Sequence, residues 1–81
     1  MKISETVKAL ITMTGHKQYD ILPAVNTGSR QALNNKIQLD RWDGKDLVKI
    51  ADLLGCRLCF ELPNGDRLYF DPTEYKDAPA E

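Results

Sequence analysis

Three sets of residues in this chain of 81 have the types and spacing for chemistry. Cys56 and Cys59 stand three apart, as in a redox pair or half of a zinc site. His16 is the sole imidazole. Arg30, Gln31, Asn34, Asn35 and Gln38 form a run of multivalent hydrogen-bonding side chains. The first two sets lack what catalysis needs. A tetrahedral zinc site takes four ligands, and two cysteines with one histidine cannot complete it within one chain. The Cys-x-x-Cys does not sit at the strand-to-helix turn that lowers a thiol pKa in redox enzymes. Without an export signal, reduced thiols are expected rather than a disulfide. His16 has no nucleophile or carboxylate relay beside it in sequence and reads as a turn residue. The expectation is no catalytic residue, no metal and no cofactor. An enzyme built on Cys56 and Cys59 would need a depressed thiol pKa or bound zinc.

The third set is chemically apt for reading base edges. An arginine matches the O6 and N7 acceptors of guanine, and the amides of Gln and Asn match N6 and N7 of adenine. Spacing places these residues together. With Arg30 at 0° and 100° per residue, Arg30, Gln31, Asn34, Asn35 and Gln38 fall within roughly 0–140° of a helix wheel. Ala32, Leu33, Ile37 and Leu39 fall within about 180–340°, which makes the helix amphipathic. Lys36 lies inside the apolar arc. Either its stem packs along the edge with the ammonium reaching outward, or the helix phase is slightly different.

The elements that must position this face follow in chain order. Ser4 is expected to cap a helix over residues 5–13, with Ile3, Val7, Leu10 and Ile11 on one side and Gly15 beyond its end. Residues 18–25 predict a second helix, short and irregular because Pro23 removes a donor and crowds the preceding turn. Asn26-Thr27-Gly28 reads as a tight turn. Ser29 caps the third helix, over residues 30–39. Asp43 and Asp46 form a capping arrangement for a fourth, carrying Leu47, Ile50, Ala51 and Leu54 up to Gly55. Trp42 reads as a packing residue. Residues 57–62 and 66–70 predict two strands joined by Pro63-Asn64-Gly65. A three-residue loop places Leu62 opposite Asp66, Phe60 opposite Leu68 and Leu58 opposite Phe70, which gathers the apolar residues on the core face. Glu61 then faces Arg67 and Arg57 faces Asp71. The predicted fold is mainly α: four helices and a C-terminal β-hairpin in a domain over residues 1–71, then a flexible acidic tail over 72–81.

Composition sets the class. Apolar residues at 42% and charged residues at 28% give a folded domain, too small for the layered architecture of most enzymes. The net charge of −1 is unevenly spread. The segment from Asp71 carries four acids against Lys76, which leaves ten basic and eight acidic residues before it. A polyanionic partner must therefore meet a local patch rather than a general field. The lack of a long apolar run or a signal-like start predicts a cytoplasmic protein with no membrane contact.

A short helix, a Gly-containing turn and a capped helix with a polar outer face make a helix-turn-helix pattern. Lys17-Gln18-Tyr19-Asp20-Ile21, Ser29-Arg30-Gln31-Ala32-Leu33-Asn34-Asn35-Lys36 and Asp46-Leu47-Val48-Lys49-Ile50-Ala51-Asp52-Leu53-Leu54-Gly55-Cys56 resemble the Cro and phage-repressor (XRE-like, lambda-repressor-like) family. The resemblance covers most of residues 3–70 and is nearest to small regulators of Firmicutes and their prophages. It departs from the family pattern at Leu22-Pro23 and in a turn one residue longer than usual. It implies a duplex-DNA-binding transcriptional regulator, usually a repressor. Arg30, Gln31, Asn34 and Asn35 would read bases, and Lys17, Gln18, Ser29 and Lys36 would contact phosphates. It also implies a homodimer with recognition helices one DNA turn apart. The hairpin is a candidate contact, through strand edges or a patch at Cys59 and Tyr69. No small-molecule substrate is implied. The competing reading is a protein-interaction module, antitoxin-like or an adaptor, on the same fold.

Overall fold

The structure is a computed structural model describing residues 2–25 and 29–75. Its four α-helices are α1 (Ile3–Met13), α2 (Leu22–Val25), α3 (Arg30–Leu39) and α4 (Gly44–Leu53). Two strands follow, β1 (Cys59–Glu61) and β2 (Arg67–Tyr69). With its 3-10 turns, 61% of the described residues are helical, a mainly α arrangement with a C-terminal antiparallel hairpin. The expected turn at Asn26-Thr27-Gly28 lies outside the described residues, as do residues 76–81 of the expected tail.

The core is built where the helical spacing of apolar residues placed it. Val7 and Ile11 of α1 meet Ile21, Ala24 and Val25 from the second helical segment, Leu33 of α3, and Ile50 and Leu54 at α4. Ile21, Leu33 and Ile50 are fully buried. Leu10, Tyr19, Ile37, Trp42 and Leu47 pack around them, half in contact with solvent.

Residues 18–25 bend as the sequence requires. Gln18–Ile21 form a 3-10 turn that runs directly into α2. Pro23 then falls in the first α-turn, where a missing N–H leaves no hydrogen bond unmade. The 3-10 segment thus absorbs the proline.

Ser4 differs from expectation. Lys2 occupies the N-cap position and α1 begins at Ile3, which leaves Ser4 inside the first turn and only 6% exposed. A local capping preference yields here to a tertiary partner. Asp40, at the C-cap of α3 in the left-handed region (φ 54°), turns its carboxylate back to α1. Its Oδ1 accepts from the backbone N–H and the hydroxyl of Ser4, each at 2.7 Å. The hydroxyl also approaches the Ile37 carbonyl at 2.8 Å and accepts from Trp42 Nε1 at 2.9 Å. One buried serine ties the start of α1 to the end of α3. These bonds to the charged form hold the Asp40 carboxyl below its ordinary range, with Lys2 adding to the effect.

The hairpin has the expected register. Cys59 pairs with Tyr69, Phe60 with Leu68 and Glu61 with Arg67. Leu62 N–H donates to Asp66 O, and Phe70 N–H to Leu58 O. Gly65, at φ 93°, supplies the left-handed residue that closes a three-residue loop. The strands are shorter than predicted. The larger correction concerns burial. Phe60, Leu62 and Leu68, assigned to the core face, are 64%, 37% and 59% exposed. Leu39, on the apolar arc of α3, is likewise 58% exposed at the helix end. Beyond the hairpin, Pro72–Tyr75 form a 3-10 turn against α4, with Tyr75 edge-on to Phe70 at 6.3 Å. The packed unit therefore extends past residue 71, where the sequence placed the start of a tail.

Candidate nucleic-acid interface

The candidate surface is the outer side of α3 and the segment that leads into α2. Ser29 caps α3, its Oγ accepting from the Ala32 N–H at 3.1 Å. The expected amphipathic split is realised by the burial of Leu33 at 0% exposure, which turns Arg30, Gln31, Asn35 and Gln38 to solvent. These four exposed side chains carry one fixed cation and three amides.

Two members of the predicted set are held from below. The Arg30 guanidinium lies over the Tyr19 ring, 4.6 Å from its centroid, an arrangement attractive through the ring quadrupole. Asn34 is half-buried, and its Oδ1 accepts from Gln18 Nε2 at 3.1 Å with the Tyr19 hydroxyl at 3.4 Å. Gln18, Tyr19, Arg30 and Asn34 therefore form one continuous patch across the two segments. Asn34 can meet a base with both ends of its amide only by exchanging the Gln18 bond. Arg30, Gln31 and Asn35 are exposed and face outward without such an exchange.

The expected phosphate-contacting residues divide. Lys17 is exposed at the start of the 3-10 turn, where its N–H donates to Asp20 Oδ2 at 2.8 Å. Gln18 sits beside it, half-buried. Ser29 is exposed at the α3 cap. Lys36 turns inward, and its Nζ meets Asp46 Oδ2 at 2.9 Å. That carboxylate, 8% exposed in its side chain, also accepts from the Asp43 N–H at 3.2 Å in the capping box of α4. Lys36 is in the apolar arc because it neutralises a buried acid. Its ammonium would reach a phosphate only by leaving that acid, at a desolvation cost to the carboxylate.

The sequence missed two contributors. Tyr19 is the aromatic platform beneath Arg30; only its position one turn ahead of Pro23 set it apart, and periodicity has no signal for a cross-segment stack. An open cleft of about 230 Å³ next to Gln18 is lined by Lys8, Ile11, Thr12 and His16. It adds two basic side chains from α1 and the following turn to the edge of the patch. His16 Nδ1 lies 3.2 Å from Thr14 Oγ1.

No family model, curated protein or solved structure matches the chain.

Among the described residues no group of three or more His, Cys, Asp or Glu is arranged to hold a metal. Cys56 and Cys59 are both free and half-buried, and the Cys56 thiol is directed to the Leu54 carbonyl at 3.7 Å. Trp42 is half-buried against the core, and its Nε1 donates to Ser4 Oγ at 2.9 Å, a packing role. Among the described residues no helix is long and apolar enough to cross a membrane.

Proposed function

We propose that this chain is a helix-turn-helix protein of lambda-repressor-like architecture that binds duplex DNA by laying α3 in the major groove. One observation carries the reading. A capped helix buries its apolar side and offers Arg30, Gln31 and Asn35 to solvent, while residues of the preceding segment brace Arg30 and Asn34 beneath. Bracing matters because a flexible side chain loses rotamer freedom on binding a base, and a stacked or hydrogen-bonded one has lost part of it already. Arg30, Gln31 and Asn35 read base edges. Asn34 contributes with Gln18 as a linked amide pair. Lys17, Gln18 and Ser29, at the starts of the two segments, meet phosphates through their side chains. Lys36 acts in holding α3 against the start of α4. With no reaction assigned to the site, regulation by occupying an operator, usually to repress, is the function such a surface serves.

The test is fluorescence anisotropy on a selected site and on random duplex. Arg30→Ala should lose about 1–3 kcal/mol on the selected site and far less on random duplex. Equal losses on both would reduce Arg30 to a phosphate contact and remove base reading from the proposal.

A further inference from the structure

A cleft of about 300 Å³ opens between α1 and α4, and none of the residues assigned to DNA lines it. Its floor is the core itself: Val7, Ile50 and Ala51 are buried among the helices yet form part of the lining. Leu10 and Leu58 add apolar wall, and Ile3 is left 43% exposed at the start of α1. The polar side chains of the lining are Thr6, Cys56 and Arg57. The Thr6 hydroxyl donates to the Lys2 carbonyl at 3.4 Å and the Cys56 thiol to the Leu54 carbonyl at 3.7 Å, so both are turned to their own segments. Arg57 is the one charged residue in the lining. Lys36 and Arg67 each meet a carboxylate, at 2.9 and 3.2 Å, whereas Arg57 has none among the described residues. Its guanidinium lies instead over the Tyr69 ring, 3.7 Å from the centroid. Stacking uses a face of the guanidinium plane and leaves the N–H donors along its edge.

We propose that this cleft binds a free alkanoic acid, with the alkyl chain laid against the core floor and the carboxylate held by Arg57. Charge selects the head group. The lining carries one cation and no acid, and the edge of a guanidinium matches a carboxylate through two parallel N–H···O bonds. The walls select the tail. A peptide would bring a backbone N–H and C=O with each residue into a lining whose neutral polar side chains are already turned to carbonyls, at a desolvation cost for every group left unpaired. An alkyl chain brings no such groups, and it covers apolar surface that now meets water. Volume sets the length. At ~30 Å³ for each water-sized unit the cleft takes about ten non-hydrogen atoms, the number in octanoate, and a two-chain lipid is too large. The Tyr69 stack also restrains the guanidinium beforehand, so less rotamer freedom is lost when the carboxylate arrives.

The site is independent of the reading of α3 and is tested without DNA. Octanoate is the probe, titrated into the full chain at neutral pH and followed by amide chemical shifts. Saturable shifts should centre on Val7, Leu10, Ala51 and Leu58, with a Kd of about 1 mM or tighter. Octylammonium has the same chain with the opposite charge, and the parent chain should bind it at least about tenfold more weakly. Arg57→Gln should lose about tenfold in octanoate affinity and with it the preference for the acid. Arg57 is exposed, so its replacement leaves the core intact, which circular dichroism checks. No saturable shift up to about 10 mM octanoate would overturn the proposal. So would shifts confined to Phe60 and Leu68 on the hairpin, equal affinity of the parent chain for the two probes, or equal affinity of parent and Arg57→Gln for octanoate.

Discussion

Ser4→Ala should be the most damaging small change at any polar residue of α1. The serine is 6% exposed; its hydroxyl accepts from the indole of Trp42, and its one proton faces two acceptors, Asp40 Oδ1 and the Ile37 carbonyl. Alanine removes one oxygen and fits the helix at least as well, so propensity opposes the effect rather than adding to it. Half-buried Asp40 keeps the Ser4 backbone N–H and regains water, and the Ile37 carbonyl keeps the Asp40 N–H at 3.3 Å. Trp42 Nε1 loses its acceptor, which costs about 1–3 kcal/mol. For a domain of this size that lowers Tm by roughly 5–20 °C. The assay is thermal and urea unfolding followed by circular dichroism, with Thr6→Ala as control. Thr6 is exposed on the same helix, with only a 3.4 Å bond to the Lys2 carbonyl, and its replacement should change stability by less than about 0.5 kcal/mol. Equal effects of the two substitutions would refute the claim that Ser4 couples α1 to α3.

Acid should expose the same junction. Asp40 titrates below its ordinary value when folded, so its contribution is present above the unfolded pKa near 4 and is lost as pH falls through the folded pKa; Asp40→Asn should flatten that part of the stability–pH curve measured by urea midpoints. Lys36→Met should cost about 1–3 kcal/mol in urea unfolding by stranding the buried Asp46 carboxylate, while leaving the salt slope of DNA binding unchanged. A slope reduced by about one would instead assign Lys36 to a phosphate. Leu33→Ala, at a position with 0% exposure, should lose about 2–5 kcal/mol and with it the placement of α3, read as lost cooperativity in thermal unfolding. In the DNA titration, Gln18→Ala and Asn34→Ala should be non-additive, because each leaves the other's amide without its 3.1 Å partner. Additive losses would mean that the two amides act independently.

Helices, their order and the hairpin register were legible because each follows from a period. Helical spacing separates Leu33 from Arg30 and Asn35, and alternation with a three-residue loop sets Phe60 opposite Leu68. What a face packs against is not periodic. The residues expected to close the core with the hairpin are instead exposed at Phe60, Leu62 and Leu68, since α4 and the Pro72–Tyr75 turn reach only as far as Phe70. Ser4 was misplaced for a related reason: its hydroxyl has a local role in any helix start, but the carboxylate that claims it is 36 residues away. Lys36 was visible as an anomaly in the apolar arc, and its explanation needed the start of α4 beside it. At the candidate interface the residue types were legible, whereas the Tyr19 stack and the Gln18–Asn34 bond depend on how two segments meet.

The central claim, that α3 reads duplex DNA, is tested most directly by selection from a random duplex library at moderate salt with the full chain. The expected result is enrichment of one motif, bound at least tenfold more tightly than random duplex, with Arg30→Ala relaxing the preference at a single base position. No enrichment over successive rounds, or binding that vanishes with salt equally for every sequence, would contradict it.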